Sequence, residues 1–262
     1  GAGNHFLVAD LRGDHDRGQF VKALGSLDTK KKRAAIARRL CDPYQSVGAD
    51  GVLFLERSRF ADVRWDFFNA DGSSAEMCGN AARCVGRYLA EHDKPKRKNQ
   101  TKRKSFSIET KAGVVYAHVD KSVVRVDMPE LAKIQRRLPV VIDGREVYFD
   151  FVNSGVPHAV VHFILKGGLK SLMANKEKLQ AFTDTIRGLD MFKRTSTNVT
   201  YVVQRGANEI DSLTFERGVS GFTQACGTGA VAAAASFAME KPKVVTVNVP
   251  GGELQVDLRG QR

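Results

Sequence analysis

Two stretches of the sequence decide the fold: Glu76-Met77-Cys78-Gly79-Asn80-Ala81-Ala82 and Gln224-Ala225-Cys226-Gly227-Thr228-Gly229-Ala230. In each stretch a cysteine is followed by glycine, a polar residue and small residues, and then by apolar residues at helical spacing. A short strand pattern and a polar turn precede each stretch, with the strands at Trp65–Phe68 and Leu213–Phe215. The order strand, turn, cysteine and helix is therefore predicted twice in one chain.

A second repeated feature follows each helix. Val114–Met128 and Val244–Leu258 both have the pattern of a β-hairpin, and they end in Val-Asp-Met and Val-Asp-Leu. Two features repeated in the same order predict two similar halves, residues 1–128 with Cys78 and residues 129–262 with Cys226. The last strand is a candidate to return to the first half. Chance similarity of short strand-to-helix turns is the alternative explanation.

The remaining patterns favour a fold rich in strands. Further strands are predicted at Phe6–Ala9, Gly51–Leu55, Ser105–Glu109, Val123–Val126, Ala159–Ile164 and Val199–Val203. Helices are predicted at Lys30–Cys41, Gly79–Glu91, Leu172–Asp184 and Gly227–Met239. Because strands outnumber helices and do not alternate with them regularly, a doubly wound parallel sheet is disfavoured. The predicted fold class is α/β of the α+β type.

Composition predicts a globular protein of the cytoplasm. Of the 262 residues, 42% are hydrophobic and 27% are charged, and no apolar run approaches the roughly 18 residues of a membrane span. The first residues carry neither the basic nor the apolar segment of a signal peptide. Four cysteines without a Cys-x-x-Cys pair disfavour a disulfide scaffold and a zinc ribbon, so a reducing compartment fits best.

The net charge of +12 raises the question of nucleic-acid binding, and its source is local. Seven lysines and arginines lie between Lys94 and Lys104, and subtracting their charges from +12 leaves +5. We interpret this run as a solvated loop between a helix and a strand. Binding of RNA or another anionic surface by the 94–104 loop is the less favoured alternative.

Cys78 and Cys226 differ from the other two cysteines because each immediately precedes a glycine-rich helix start. The partial positive charge of a helix N-terminus favours a thiolate, and its unpaired N–H groups can hold a carboxylate. Glycine after each cysteine lets a ligand approach the backbone closely. Cys41 and Cys84 are instead predicted to be small buried residues of the core.

Two such positions could invert an α-carbon by a two-base mechanism. Inversion removes a proton from one face and returns one to the other, and a thiolate with a thiol supplies a base and an acid of similar strength. Helix N-termini aimed at the α-carboxylate would stabilise the developing carbanion. We expect no organic cofactor and no metal, because the sequence lacks phosphate-cradling fingerprints and metal spacing among its six histidines.

At these residues the sequence resembles the diaminopimelate epimerase family. The matching segments run in the family's order and comprise Gly1-Ala2-Gly3-Asn4, Gly48-Ala49-Asp50-Gly51, Asn69-Ala70-Asp71-Gly72-Ser73, Cys78-Gly79-Asn80-Ala81-Ala82-Arg83-Cys84, Pro157-His158, Asn198-Val199, Glu216-Arg217-Gly218, Ala225-Cys226-Gly227-Thr228-Gly229-Ala230 and Pro250-Gly251-Gly252. The paired cysteine motifs are specific, whereas the Gly-Ala-Asp-Gly and Pro-Gly-Gly segments are weak alone. The resemblance implies two similar halves, each a curved, mostly antiparallel sheet wrapped around a central helix, with the active site in the cleft between them.

The resemblance also implies the roles of individual residues. Cys78 and Cys226 would be the acid/base pair, tuned by His158 and Glu216. The reacting carboxylate would bind to N–H groups around Gly79, Asn80, Gly227 and Thr228, and the distal amino-acid group would bind to Asn4, Asn69, Asn198, Glu216 and Arg217. The reaction would interconvert LL- and meso-diaminopimelate for lysine and peptidoglycan synthesis, without a cofactor. The expected partners are this small-molecule substrate and a second copy of the chain in a homodimer, with no membrane.

Three departures from the family pattern leave the substrate open. Val156 stands where an amide is usual, His5 where an aspartate is usual, and Phe222 where an acid is common. A related racemase of another amino acid, such as histidine, is therefore an alternative, and a non-catalytic nucleic-acid-binding protein is a more distant one. Several site candidates also have structural interpretations: Asn69 and Asp71 as turn residues, Asn198 as a strand-end cap, Asn4 as a loop residue, His158 as a buried structural histidine, and Glu216–Arg217 as a surface ion pair.

Overall fold

The computed structural model describes residues 3–74, 76–93, 104–142, 144–217, 221–239, 241 and 243–260. The chain forms two compact units. The N-terminal unit is Asn4–Asp127, and the C-terminal unit is Met128–Arg262 together with Gly1–Gly3. The basic run at 94–104, predicted to be a solvated loop, lies outside the described residues except for Lys104.

The N-terminal unit is a six-stranded sheet with helices on both faces. Its elements are β1 (Phe6–Asp10), α1 (Asp14–Leu24), α2 (Lys30–Cys41), β2 (Gly51–Glu56), β3 (Val63–Asn69), α3 (Gly79–His92), β4 (Ser105–Thr110), β5 (Gly113–Asp120) and β6 (Val123–Val126), with the strands in the order β1-β2-β3-β4-β5-β6. One face packs on α3 through Trp65, Phe67 and Val85, and the other packs on α2 through Phe54 and Ile36.

The C-terminal unit repeats this arrangement around a larger sheet. Its elements are β7 (Lys133–Ile142), β8 (Arg145–Asn153), β9 (Pro157–Phe163), α4 (Gly168–Ala174), α5 (Lys176–Arg187), a 3₁₀ turn (Asp190–Phe192), β10 (Asn198–Gly206), β11 (Glu209–Glu216), β12 (Gly221–Phe222), α6 (Gly227–Ala238), β13 (Val244–Val249) and β14 (Gly252–Asp257). The strand order is β14-β13-β11-β10-β9-β8-β7, and β12 pairs with β11. One face packs on α6, and the other packs on α4 and α5.

The strand pairings of the two units match one for one. Strands β1 to β5 pair in the sequence parallel, antiparallel, parallel, antiparallel, and so do β9, β10, β11, β13 and β14. In both units the helix preceded by the cysteine connects the third of these strands to the fourth. The predicted fold class, α+β with two similar sheet-and-helix halves, is therefore confirmed.

Small residues let the two central helices lie close to their sheets. On α6, alanines 232, 233 and 234 are fully buried, and on α3 a Cβ at Gly86 would lie 2.6 Å from the Cβ of Ala117 on β5. A larger side chain at these positions would force helix and sheet apart. The same close packing fixes the direction in which each helix N-terminus points.

One sequence prediction needs correction, and two elements of the structure were not predicted. The single helix predicted at Leu172–Asp184 is two helices, because Asn175 leaves the helical conformation and its side-chain amide donates to the Ser171 carbonyl at 2.8 Å. Helix α1 was not predicted, since none of its residues is buried and its sequence lacks an apolar stripe. The hairpin β7–β8 was also missed; its strands carry many exposed polar residues.

Candidate active site

Cys78 is the N-cap residue of α3. Its backbone is extended, with φ −144° and ψ 117°, and the first helical hydrogen bond runs from the Ala82 N–H to the Cys78 carbonyl at 2.9 Å. The N–H groups of Gly79 and Asn80 precede that bond at the helix N-terminus, where backbone donors lack intrahelical partners. Cys78, which is half-buried, therefore stands at the end of α3 that carries these backbone donors.

A polar network fixes the first turn of α3. The Asn80 side-chain N–H donates to the Asn4 side-chain oxygen, and an Arg83 Nη donates to the Asn80 side-chain oxygen. Asn4 in turn donates to Asp50 at 3.2 Å, and the His5 N–H donates to the same carboxylate at 2.7 Å. The structure thus brings together Asn4 and Asn80, two of the predicted site residues, although they lie far apart in sequence.

Arg83 is the neighbour of Cys78 to which sequence reasoning gave no role. Burial lowers the pKa of its guanidinium, and the electrostatic interaction with the sulfur of Cys78 opposes that effect. A cation beside a cysteine at a helix N-terminus favours the thiolate. The signal in the sequence was the position of Arg83, one helical turn beyond Gly79 and Asn80 on the same helix.

Asn69 and Asp71 form the turn that leads towards Cys78. The Asn69 side-chain N–H donates to the Ser73 hydroxyl at 2.9 Å, and the Ser73 N–H donates to Asp71 Oδ1 at 2.7 Å. Gly72 completes the turn at φ +78°, a conformation that favours glycine. Asn69 and Asp71 are therefore turn residues, which was the alternative interpretation of both. The substrate role of Asn69 stays a prediction.

Cys226 occupies the equivalent N-cap position of α6 and is buried. Its sulfur accepts a hydrogen bond from the Gly229 N–H at 3.3 Å and lies 3.4 Å from the Thr228 hydroxyl. A Cβ at Gly229 would lie only 2.5 Å from the Thr214 hydroxyl and 3.3 Å from the sulfur. Glycine at 229 therefore permits the close approach of α6 to β11 that positions Cys226.

His158 on β9 is fully buried and connected to Cys226 through Thr228. Its Nε2 lies 3.0 Å from the Thr228 hydroxyl, and its Nδ1 lies 3.0 Å from the Thr200 hydroxyl. Burial, reinforced by the positive charge of Arg217, lowers the pKa of His158 to about 3. The imidazole is therefore neutral at physiological pH.

Asn198 joins His158 to the backbone of Arg217. Its side-chain oxygen accepts the Arg217 N–H at 2.9 Å, and its side-chain nitrogen lies 3.2 Å from His158 Nε2. The guanidinium of Arg217 donates to the Thr195 carbonyl at 2.7 Å. These three residues, all predicted from the sequence, thus form one connected group in the C-terminal unit.

Glu216, at the end of β11, is hydrogen-bonded to Cys226. Its Oε1 accepts the Thr223 hydroxyl at 2.6 Å. Burial raises the pKa of the Glu216 carboxyl, while hydrogen bonds from Thr223 and Cys226 act in the opposite direction. A carboxyl with a raised pKa that is hydrogen-bonded to a thiol is a candidate for exchanging protons with it.

The remaining candidates fall into different environments. Phe222 packs edge-on against Phe215 with ring centroids 5.3 Å apart, so packing accounts for its aromatic side chain. Val156 is half-buried, and its carbonyl accepts the Ser154 N–H at 3.2 Å. Cys41 is buried, as predicted, but the prediction for Cys84 is wrong: it is exposed because it lies on the side of α3 opposite the apolar stripe.

The described residues contain neither a candidate membrane-spanning helix nor a candidate metal-binding cluster. No helix among them is both long and apolar enough to cross a membrane. No group of three or more histidine, cysteine, aspartate or glutamate side chains in these ranges could hold a metal ion.

Comparison with solved structures identifies related folds. A hydroxyproline epimerase from Agrobacterium vitis aligns with a TM-score of 0.61 and 18% identity, over 90% of this chain and 74% of that one. A phenazine biosynthesis protein from Bacillus anthracis aligns with a TM-score of 0.64 and 16% identity, over 89% of this chain and 81% of that one. At these identities the similarity concerns the fold alone.

Sequence comparison is more specific. Proteins named diaminopimelate epimerase from Hydrogenobaculum sp. (strain Y04AAS1) and Aquifex aeolicus (strain VF5) are 33% and 34% identical to this chain. Each alignment covers 97% of this chain, and 87% and 86% of the respective relatives. The sequence model of the family described as diaminopimelate epimerase matches residues 15–134 and 151–262. The chain therefore belongs to the diaminopimelate epimerase family.

Proposed function

We propose that this enzyme interconverts LL- and meso-diaminopimelate by moving the α-proton between Cys78 and Cys226. The observation that carries the proposal is the equivalence of the two cysteines. Each is the N-cap of the helix that connects the third and fourth strands of its repeat. Two chemically identical groups in equivalent positions suit a reaction that must treat two faces of one carbon alike.

The backbone at each cysteine supplies the binding site for the reacting carboxylate. The N–H groups of Gly79 and Asn80 on α3, and of Gly227 and Thr228 on α6, precede the first intrahelical hydrogen bond. Their partial positive charge would hold the α-carboxylate and stabilise the negative charge that develops when the α-proton leaves. The mechanism requires both sulfurs to reach the same α-carbon from opposite faces.

Protons balance without a cofactor in this scheme. One cysteine, as thiolate, takes the α-proton and becomes a thiol, and the electron pair of the broken C–H bond remains on the substrate. The other cysteine, as thiol, donates its proton to the opposite face and becomes the thiolate. The configuration is inverted, and the two cysteines have exchanged protonation states, so the enzyme is ready for the reverse direction.

The distal amino-acid group of the substrate is the second part of the proposal. Arg217 offers a guanidinium suited to a carboxylate, and Asn4, Asn69, Asn198 and Glu216 offer amide and carboxylate groups for an ammonium and a carboxylate. These assignments are supported by the positions of the residues in the family motifs. Asn4 is in addition hydrogen-bonded to Asn80 on α3, and Asn198 to the Arg217 N–H.

Four further expectations accompany the proposed activity: its metabolic role, its location, the absence of an organic cofactor and the assembly. We place the reaction in lysine and peptidoglycan precursor synthesis in the cytoplasm, without an organic cofactor, because that is the metabolic role the family implies. A homodimer is the expected assembly. Size-exclusion chromatography with light scattering would give twice the 28.8 kDa chain mass if it forms.

The test is deuterium exchange in D2O with reduced protein, LL-diaminopimelate and no added cofactor, followed by NMR. We expect loss of the α-proton signal together with appearance of the meso isomer. Cys84→Ala serves as the control, since it removes an exposed thiol from the same helix as Cys78. Absence of both exchange and product from folded protein would contradict the proposal.

A racemase for another amino acid is the second candidate, and Val156 is the observation that favours it. An apolar side chain cannot replace the hydrogen bonds of an amide to a charged distal group. A panel of amino acids including histidine, assayed in the same way, separates the candidates. Faster exchange of another amino acid than of diaminopimelate would support the second.

A further inference from the structure

The hydrogen-bond geometry around His158 determines which of its nitrogens carries the hydrogen. The Arg217 N–H can only donate, so the Asn198 atom that it contacts at 2.9 Å is the side-chain oxygen. The Asn198 side-chain nitrogen must then face His158 Nε2, at 3.2 Å. Since that amide nitrogen is a donor, Nε2 is an acceptor, and the hydrogen of the neutral imidazole lies on Nδ1.

The other partner of His158 agrees with this tautomer. Nδ1 lies 3.0 Å from the Thr200 hydroxyl, which can accept its hydrogen. Thr200 can pass its own hydroxyl hydrogen to the Thr214 hydroxyl at 3.2 Å. His158, Thr200 and Thr214 therefore form a hydrogen-bonded chain on the Nδ1 side of the imidazole, which leaves Nε2 as an acceptor facing Thr228.

Thr228 lies between two acceptors. Its hydroxyl is 3.0 Å from His158 Nε2 and 3.4 Å from the sulfur of Cys226. Because Nε2 carries no hydrogen, Thr228 receives none from the imidazole and its own hydrogen can point in either direction. A thiolate attracts that hydrogen more strongly than His158 Nε2 does, because Nε2 is neutral and also accepts from Asn198. A thiol attracts it less strongly than Nε2 does.

We propose that Thr228 is a positioning residue whose hydroxyl hydrogen points to His158 Nε2 when Cys226 is a thiol and to the sulfur when Cys226 is a thiolate. The consequence for catalysis rests on the proposed function. When Cys226 gives its proton to the substrate, the Thr228 hydroxyl rotates and donates to the sulfur, as the Gly229 N–H already does. No proton leaves Thr228 or His158. His158 therefore acts only as a hydrogen-bond acceptor for Thr228 and does not carry the transferred proton.

The charged groups around Cys226 do not provide the same response. Glu216 on β11 is hydrogen-bonded to the sulfur and, when ionised, disfavours the thiolate. His158 on β9 is neutral, because burial and the positive charge of Arg217 both lower its pKa. Thr228 is thus a neutral donor that can follow the change in charge on the sulfur.

Two measurements on the full-length protein test the inference without any substrate. The first is ¹⁵N NMR of histidine-labelled protein at pH 7, with the His158 signals assigned by their loss in His158→Gln. We expect a protonated Nδ1 and an unprotonated Nε2. A protonated Nε2 would overturn the inference, since Thr228 would then accept from the imidazole.

The second measurement is the pH dependence of Cys226 alkylation by iodoacetamide, read from the Cys226 peptide by mass spectrometry. Thr228→Val should move the midpoint upward by about one pH unit, whereas Thr228→Ser, which keeps the hydroxyl, should move it little. Thr183→Val is the matched control, because it removes a buried hydroxyl that bonds to Tyr201, remote from the sulfur. An unchanged midpoint in Thr228→Val would overturn the inference.

The outcomes of these two measurements can be distinguished from the outcome of the exchange experiment that tests the proposed function. Failure of LL-diaminopimelate to exchange leaves both measurements interpretable, because they report on the tautomer and the thiol alone. If Thr228→Val does not fold, as judged by circular dichroism, the NMR result and the comparison of Thr228→Ser with the unmodified protein still decide the question. A shifted midpoint of Cys226 alkylation in Thr228→Ser, which keeps the hydroxyl, would then contradict the proposed role of that hydroxyl.

Discussion

Gly229 occupies a position without room for a methyl group, which makes Gly229→Ala a quantitative test of how Cys226 is held. The added Cβ would lie 2.5 Å from the Thr214 hydroxyl, well inside contact distance, so the Thr214 side chain or the backbone of α6 must shift. Alanine gains at most about 1 kcal/mol of helix propensity over glycine. Crowding a packed site costs about 1–3 kcal/mol. The expected net change therefore ranges from none to a loss of about 2 kcal/mol in the free energy of unfolding.

Gly18→Ala provides the matched comparison. It makes the same substitution within α1, where an added Cβ meets nothing within 4 Å. Here only the propensity term applies, and we expect stabilisation by about 0.5–1 kcal/mol. Urea denaturation should therefore show Gly229→Ala less stable than Gly18→Ala by about 1–3 kcal/mol.

Activity should separate the two glycine variants further. The crowding in Gly229→Ala displaces the N–H that donates to the Cys226 sulfur at 3.3 Å, and small displacements of reacting groups can cost about 10²-fold in rate. Gly18→Ala should exchange the substrate α-proton at the unmodified rate. Equal stability and equal exchange rates for the two variants would refute the assigned crowding.

Two further predictions concern pH and charge. The pKa of His158 is lowered to about 3 in the folded protein, against roughly 6.5 in the unfolded chain. Between these values the unfolded chain binds one more proton than the folded protein. The folded protein therefore loses stability as the pH falls from about 6.5 towards 3. Between pH 6.5 and 5 the contribution of His158 should approach about 2 kcal/mol, measured by urea denaturation. The loss should be smaller by that amount in His158→Gln, where His162, whose pKa is also lowered by desolvation, still contributes. The same pH dependence in both proteins would contradict the assignment. Arg83→Met should raise the midpoint of Cys78 alkylation by about one pH unit and slow exchange, because the cation beside the sulfur is lost. Arg87→Met is the control, since Arg87 lies further along α3 and pairs with Glu91 at 3.8 Å; a midpoint that shifts equally in both variants would argue against a specific role for Arg83.

The elements that local patterns define were predictable from the sequence. Helix α2 and strand β6 have the predicted bounds, and the repeated order of strand, cysteine and helix corresponds to matching strand pairings in the two units. The break at Asn175 was missed because a side-chain hydrogen bond to the backbone competes with helix propensity, and periodicity does not register that competition. Helix α1 was missed because it buries none of its residues.

The connections within the candidate site were less accessible from sequence. Motif positions indicated His158, Asn198, Arg217 and Thr228 individually, but their hydrogen bonds join residues on β9, β10 and α6 to the residue that follows β11. Such contacts depend on strand register and helix packing, which local patterns do not specify. The exposure of Cys84 depends on which face of α3 meets the sheet, and the apolar stripe of that helix would have located it.

The most direct test of the central claim is exchange by the single-cysteine variants, Cys78→Ala and Cys226→Ala, in D2O with LL- and with meso-diaminopimelate as separate starting materials. A two-base mechanism predicts that each variant loses epimerisation by about 10³-fold or more. It also predicts that residual exchange retains configuration and that the two variants prefer opposite configurations at the reacting carbon. Epimerisation at the unmodified rate by either variant would contradict the assignment of one cysteine to each face.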